Sequence, residues 1–175
     1  MKDVDELYQV LISNYTFDKE NVILLKNPSR SQIFASFELL SKKITAKDNF
    51  LIFYAGHGYL RNKIFYWLPV DAGDNPSNWF SNKNLIDIYL ANLNTKHTLV
   101  ISDACFSGAI GRDVNVNMEL PKKLYESPSR TAMTSGNEES VPNKSIFFEF
   151  LFKSLKNNTK KYFAASEIFV EIREK

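Results

Sequence analysis

Asn49-Phe50-Leu51-Ile52-Phe53-Tyr54-Ala55-Gly56-His57-Gly58 is the stretch that decides the fold. Seven uncharged residues run straight into a Gly-His-Gly turn. A strand that is apolar on both faces belongs inside a parallel sheet with helices on either side. A second run of this kind, Thr98-Leu99-Val100-Ile101, leads into Ser102-Asp103-Ala104-Cys105. Helical stripes separate the two. Val4, Leu7, Tyr8, Leu11 and Ile12 fall at i, i+3, i+4, i+7 and i+8. Ile33, Phe34, Phe37, Leu40 and Ile44 mark a second helix, with Lys42 and Lys43 near its C-terminus.

The remaining elements follow the same logic. Asn21 to Leu25 is short and apolar and suits a buried strand, closed by Asn27-Pro28-Ser29. Ile64 to Val70 reads as extended, and Asp74 to Ser77 as loop. Leu85, Ile86, Ile88, Tyr89 and Leu93 give a third helix of less regular spacing. Phe106 to Ser129 holds few apolar residues and reads as a long loop, with a short strand at Thr131 to Thr134. Ile146, Phe147, Phe150, Leu151 and Leu155 form a fourth helix, and Ile168, Phe169 and Ile172 a fifth. Helices alternating with buried strands predict an α/β domain, mostly parallel, with helices on both faces of a central sheet.

Composition limits the function. The chain has 175 residues, close to the roughly 150 of one domain. Hydrophobic residues make up 44% and charged residues 24%, enough apolar matter to build a packed core. Lys+Arg 22 against Asp+Glu 20 is too balanced to indicate a nucleic-acid partner. No apolar run approaches the ~18 residues of a membrane span, and the acidic start Met1-Lys2-Asp3-Val4-Asp5-Glu6 lacks the core of a signal peptide. A cytoplasmic location without a membrane partner is expected. One cysteine, Cys105, excludes an internal disulfide.

Chemistry is expected where both long strands end. Open α/β sheets bind ligands beyond the carboxyl ends of their strands. If the strands are neighbours, His57 and Cys105 meet at one edge. A thiol becomes a good nucleophile beside a base, and glycines beside His57 let a substrate backbone approach. The N–H groups of Gly58 and Cys105 are then candidates to bind the oxyanion of a tetrahedral intermediate. A lone strand-end cysteine is more often a small buried hydrophobe. The pairing with His57, 48 positions earlier (105 − 57), weighs against that reading here. His97 lies outside either motif and reads as a surface residue.

Tyr54-Ala55-Gly56-His57-Gly58-Tyr59, Leu68-Pro69-Val70-Asp71-Ala72 and Ser102-Asp103-Ala104-Cys105-Phe106-Ser107-Gly108 together resemble the caspase-like cysteine peptidases. Metacaspases, paracaspases and their bacterial relatives are the nearest in pattern, and the His-to-Cys spacing suits the family's separation of about 50 residues. Asp3-Val4-Asp5-Glu6-Leu7, the stretch Ser129 to Gly136, and Ser145 to Leu151 extend the likeness over nearly the whole chain. The resemblance implies a three-layer caspase-like sandwich and a catalytic dyad of His57 and Cys105. It implies that Asp103, Asp3 and Glu138 (Glu139 in the alternative register) line a pocket for an Arg or Lys side chain. Cleavage after Arg or Lys through an acyl-enzyme is then expected, with a protein or peptide as substrate.

Three further expectations come from the same pattern. The loop from Gly108 to Arg130 carries Arg112, Lys122, Lys123 and Arg130, which makes self-cleavage there an expectation alongside the plain reading of a solvated basic loop. Some metacaspases need calcium, but no Asp/Asn/Gly loop with ligand spacing is present, so no cofactor or metal is expected. Family members usually carry a strand before the first helix and another after the last. Residues 1–175 therefore read as a single domain lacking the first and possibly the last, its sheet completed by a missing segment, a regulatory partner or a second copy. The rival readings are a catalytically silent caspase-like binding module, a redox switch at Cys105, which lacks a resolving thiol, and Ser107 as nucleophile, which lacks one flanking glycine.

Overall fold

The computed structural model describes residues 2–104, 129–135, 145–160 and 164–173. Helix α1 spans Lys2–Asn14 and α2 Arg30–Ser41; β1 follows at Asn49–Ala55, β2 at Gly58–Arg61 and β3 at Ile64–Trp67. After the two-residue β4, Phe80–Ser81, come α3 at Asn84–Leu90, β5 at His97–Asp103, β6 at Ser129–Thr134, α4 at Ile146–Asn157 and α5 at Ala165–Arg173. Two sheets result. The larger has the order β1-β5-β6, all parallel, and the smaller has the antiparallel order β2-β3-β4.

Period-two alternation divides the large sheet into two faces. Phe50, Ile52, Tyr54, Val100, Ala104 and Ala132 point to one side, where they meet Ile33 and Phe37 of α2, Leu85 and Tyr89 of α3, and Phe65, Trp67 and Phe80 of the small sheet. Leu51, Phe53, Leu99, Ile101 and Met133 point to the other, against Leu7 and Leu11 of α1, Leu151 and Leu155 of α4 and Ile168 of α5. The result is the three-layer α/β arrangement expected from the sequence. On the α2 side the core is largely aromatic: Phe37 stacks between Phe80 and Tyr89, with ring centroids 5.8 and 4.7 Å away. Among the described residues, no helix is long and apolar enough to cross a membrane.

Local chemistry explains the boundaries. Ser29 caps α2 through a full capping box: its Oγ accepts from Gln32 N–H, and Gln32 Oε1 accepts from Ser29 N–H at 2.8 Å. Ser145 Oγ accepts from Phe148 N–H at 3.0 Å and starts α4. Asn62 and Lys63, with φ of 51° and 63°, make the left-handed pair that a tight β2–β3 hairpin requires.

Four elements differ from expectation. Val22 to Leu25 forms no strand among the described residues. A 3₁₀ turn, Lys19–Asn21, precedes it, and Ile23 and Leu24 remain 36% and 37% exposed. β1, whose sequence suits a strand flanked on both sides, pairs with β5 alone among the described residues, and none of its residues is fully buried. The extended segment at Ile64 belongs to an antiparallel hairpin because Gly58 to Arg61 folds back on it. Helix α3 is a π-helix, widened so that Ala91 N–H reaches Ile86 C=O at 2.9 Å. That widening accounts for its irregular apolar spacing.

Leu151 and Ile146 both fit the apolar stripe of α4, but Leu151 is 0% exposed and Ile146 64%. Chemical denaturation should therefore show Leu151→Ala losing about 2–5 kcal/mol and Ile146→Ala changing stability by less than about 0.5 kcal/mol. Equal losses would contradict the assignment of faces.

Candidate active site

Strands β1 and β5 end level with each other. Their register pairs Ala55 with Asp103, and Gly56 N–H then donates to the Asp103 carbonyl at 3.2 Å. The chain leaves β1 through Gly56 and His57 and enters β2 at Gly58, opposite Trp67. His57 therefore stands at the carboxyl edge of the large sheet, exposed to solvent, and Gly58 beside it is half-buried. Cys105 lies outside the described residues. It follows Asp103 by two positions, as His57 follows Ala55 by two.

The His57 turn is held from several sides. Its carbonyl accepts hydrogen bonds from Leu68 N–H at 2.9 Å and from the Tyr54 hydroxyl at 2.7 Å. Tyr54 lies flat on Trp67, centroids 4.4 Å apart and planes 13° from parallel. Trp67 Nε1–H donates to Ser102 Oγ at 3.0 Å, inside the protein. Gly56 has no room for a side chain, because a Cβ would stand 2.7 Å from Tyr54 Oη and 3.0 Å from its Cζ.

Asp103 occupies the opposite face of β5. Alternation turns Ser102 toward Trp67 and Asp103 toward the side that α1 and α4 cover. Asp103 is 4% exposed, and its Oδ1 has no hydrogen-bond partner among the described residues. Burial raises its pKa above the usual carboxylate range; polar contact with the hydroxyls of Ser135 and Ser145 pulls the other way, and the charge of Asp3 raises it further. Ser135 Oγ is itself buried without a hydrogen-bond partner among the described residues, so its contact with Asp103 falls short of a well-formed bond. Asp3 sits half-buried in the first turn of α1, and Ser145 caps α4. The N-termini of α1 and α4 thus lie near one buried carboxyl, and their partial positive charge favours an anion there.

Of the residues expected in the site, the structure brings together Asp103 and Asp3 on one face of the sheet's carboxyl edge, with His57 and Gly58 at the end of β1. Glu138 and Glu139 lie outside the described residues, as do Ser107, Arg112, Lys122 and Lys123. Arg130 is no loop residue: it is the second residue of β6, and its guanidinium donates to Leu93 C=O at 3.3 Å. The expected loop 108–130 therefore overlaps a strand at its end. His97 opens β5, at the far end from Asp103, with Nδ1 2.9 Å from Ser129 Oγ. Among the described residues no group of three or more His, Cys, Asp or Glu could hold a metal ion. Sequence analysis assigns no site role to Tyr54, Trp67, Ser135 or Ser145, although Tyr54, Ser135 and Ser145 lie in the stretches that carry the resemblance. Only Ser145 carried a local signal, as the polar residue before an apolar helix.

The carboxyl edge thus carries an exposed imidazole at the end of one strand and, at the end of the next, a buried carboxyl with one oxygen unpartnered among the described residues. The first can exchange protons with a reacting group, and the second calls for a cation. No curated protein matches the chain. The sequence model of the caspase domain, peptidase family C14, matches it over residues 1–175. With the parallel α/β sheet and the His-Gly and Asp-Ala-Cys strand ends already in place, the chain belongs to the caspase-domain family of cysteine peptidases.

Proposed function

We propose that the protein is a cysteine endopeptidase that cuts after Arg or Lys, with Cys105 as nucleophile and His57 as base. The observation that carries this reading is Asp103: a carboxyl 4% exposed, with one oxygen unpartnered among the described residues, two positions before Cys105. A buried carboxylate without a counter-charge is costly, and a guanidinium can satisfy it bidentately. Asp3 adds a second negative charge from α1, and Glu138 is assigned to the same pocket.

The chemistry follows from these roles. His57 takes the Cys105 thiol proton, and the thiolate attacks the carbonyl carbon after the basic residue. The N–H groups of Gly58 and Cys105 hold the oxyanion that forms. Collapse breaks the C–N bond; the leaving amine receives the proton from His57, and an acyl-enzyme thioester remains. Water, deprotonated by His57, attacks the thioester. The acid product leaves and the thiol regains its proton. A regulatory partner or a second copy beside β1 belongs to the same proposal.

Two fluorogenic peptides that differ only in Arg or Asp before the scissile bond test the pocket. The Arg peptide should be favoured by at least about 30-fold in kcat/KM, the lower end of the 2–5 kcal/mol for a desolvated charge pair. Preference for the Asp peptide would reject the pocket assignment. Cys105→Ala should abolish cleavage of both. Intact mass after incubation, wild type beside Cys105→Ala, reports self-processing, and identical masses would reject it.

The buried carboxyl also ties function to stability. Because burial raises the Asp103 pKa, the folded protein holds this proton more tightly than the unfolded chain does. The resulting stability is full below the unfolded value of about 3.9 and is lost as pH rises through the higher folded value. Asp103→Asn, neutral at every pH, should raise Tm over wild type near neutral pH, and the gain should disappear below about pH 3.9. The same variant should lose the Arg preference. A lower Tm at neutral pH would show that Asp103 is retained for structure.

A further inference from the structure

We infer that Tyr54 is a positioning residue for His57, fixing the imidazole's backbone against the end of β5. The inference rests on the reading of His57 as the base but draws on separate observations. His57 is exposed, so packing of its own side chain does not restrain it. What restrains it is its carbonyl, which accepts from Tyr54 Oη–H at 2.7 Å and from Leu68 N–H at 2.9 Å. The Leu68 bond ties the turn to the β2–β3 hairpin. Tyr54 provides the tie to the large sheet.

Tyr54 suits this role because its ring is not free to swing. It stacks on Trp67 at 4.4 Å, and Trp67 is in turn anchored to Ser102 Oγ on β5 at 3.0 Å. A continuous path of contacts therefore runs from Ser102, three residues before Cys105, through Trp67 and Tyr54 to the His57 carbonyl. Both strand ends share one rigid aromatic post. Gly56 shows how closely the post is fitted: a methyl group there would collide with Tyr54 Oη at 2.7 Å. A phenylalanine at position 54 would keep the stack and lose the hydroxyl, so the positioning bond can be removed without emptying the core. Small displacements of a reacting group cost rate steeply, because only near-attack geometries are productive.

The test is Tyr54→Phe, with Gly56→Ala as a second variant that keeps the hydroxyl but pushes it aside. On the Arg peptide both should lower kcat about tenfold or more, with KM within about twofold because the P1 pocket lies on the other face of β5. Backbone amide relaxation dispersion should show new microsecond-to-millisecond exchange at His57, Gly58 and Leu68 in both variants and none in wild type. The chain has only two histidines, so the His57 Cε1–H resonance is assigned by its loss in a His57→Gln control. It should broaden or split in both variants. Unchanged kcat in Tyr54→Phe would overturn the inference, as would a fall in kcat with an undisturbed His57 neighbourhood. Parallel losses in kcat, KM and Tm would also overturn it, because they would mark a general packing role. If wild type cleaves nothing, the proposed function fails, and the resonance measurements alone then decide whether Tyr54 holds His57.

Discussion

The parallel pairing of β1 with β5 is the constraint on which the other features depend. Seven residue pairs, from Asn49↔His97 to Ala55↔Asp103, hold the two strands level. A slip of one residue would exchange the faces of every side chain on β1. Phe50, Ile52 and Tyr54 would then leave the aromatic layer, and Leu51 and Phe53 would leave the α1–α4 layer. Both faces of this sheet are buried, so both would oppose the slip. The register that packs the two cores is the same one that brings the Gly56-His57 turn to the end of β5.

Because β5 lies between β1 and β6, its last residues are buried from both sides as well as above and below. That position accounts for the contrast at the site. His57, beyond the end of β1, is exposed; Asp103, at the end of β5, which has strands on both sides, is 4% exposed. Alternation along β5 then sends neighbouring residues to different tasks. Ser102 faces the aromatic layer and anchors Trp67. Asp103 faces the N-termini of α1 and α4, where Asp3 and Ser145 stand. The sheet separates the Tyr54, Trp67 and Ser102 contacts on one face from the buried Asp103 carboxyl on the other, one residue apart in sequence.

Much of this was legible from residue patterns. Two uncharged apolar runs, each ending in small and polar residues, are enough to place a parallel sheet whose two strands end level with each other. The helices α1, α2 and α4 are legible because burial on one face leaves a clear period, although in α4 Ile146 is exposed and Phe148 takes a core position. What escaped depended on long-range partners. Val22 to Leu25 has the composition of a strand, but a strand needs a neighbour to hydrogen-bond with, and composition does not supply one. The hairpin of β2 and β3 turns at Asn62-Lys63, without the glycine that marks most tight turns. Helix α3 strays from the 3.6-residue period because its hydrogen bonds do. Ser135 joins Asp103 through β6, 32 positions away in sequence (135 − 103), and no local pattern signals it.

The tension at β1 has a physical reading of its own. Its side chains reach into both hydrophobic layers, which is the behaviour of an interior strand, yet every one of its residues keeps some solvent contact. Edge strands are usually protected by a charge, a proline or a bulge, and Asn49 to Ala55 contains no charged residue or proline and pairs with β5 without interruption. Among the described residues no strand lies on its other side, and that edge keeps the regular geometry of a strand suited to a neighbour there. Tyr54 and the His57 turn leave the sheet from this same strand, so the order of the edge and the order of the candidate base are mechanically one problem. Whatever steadies β1 laterally steadies the platform on which His57 is held.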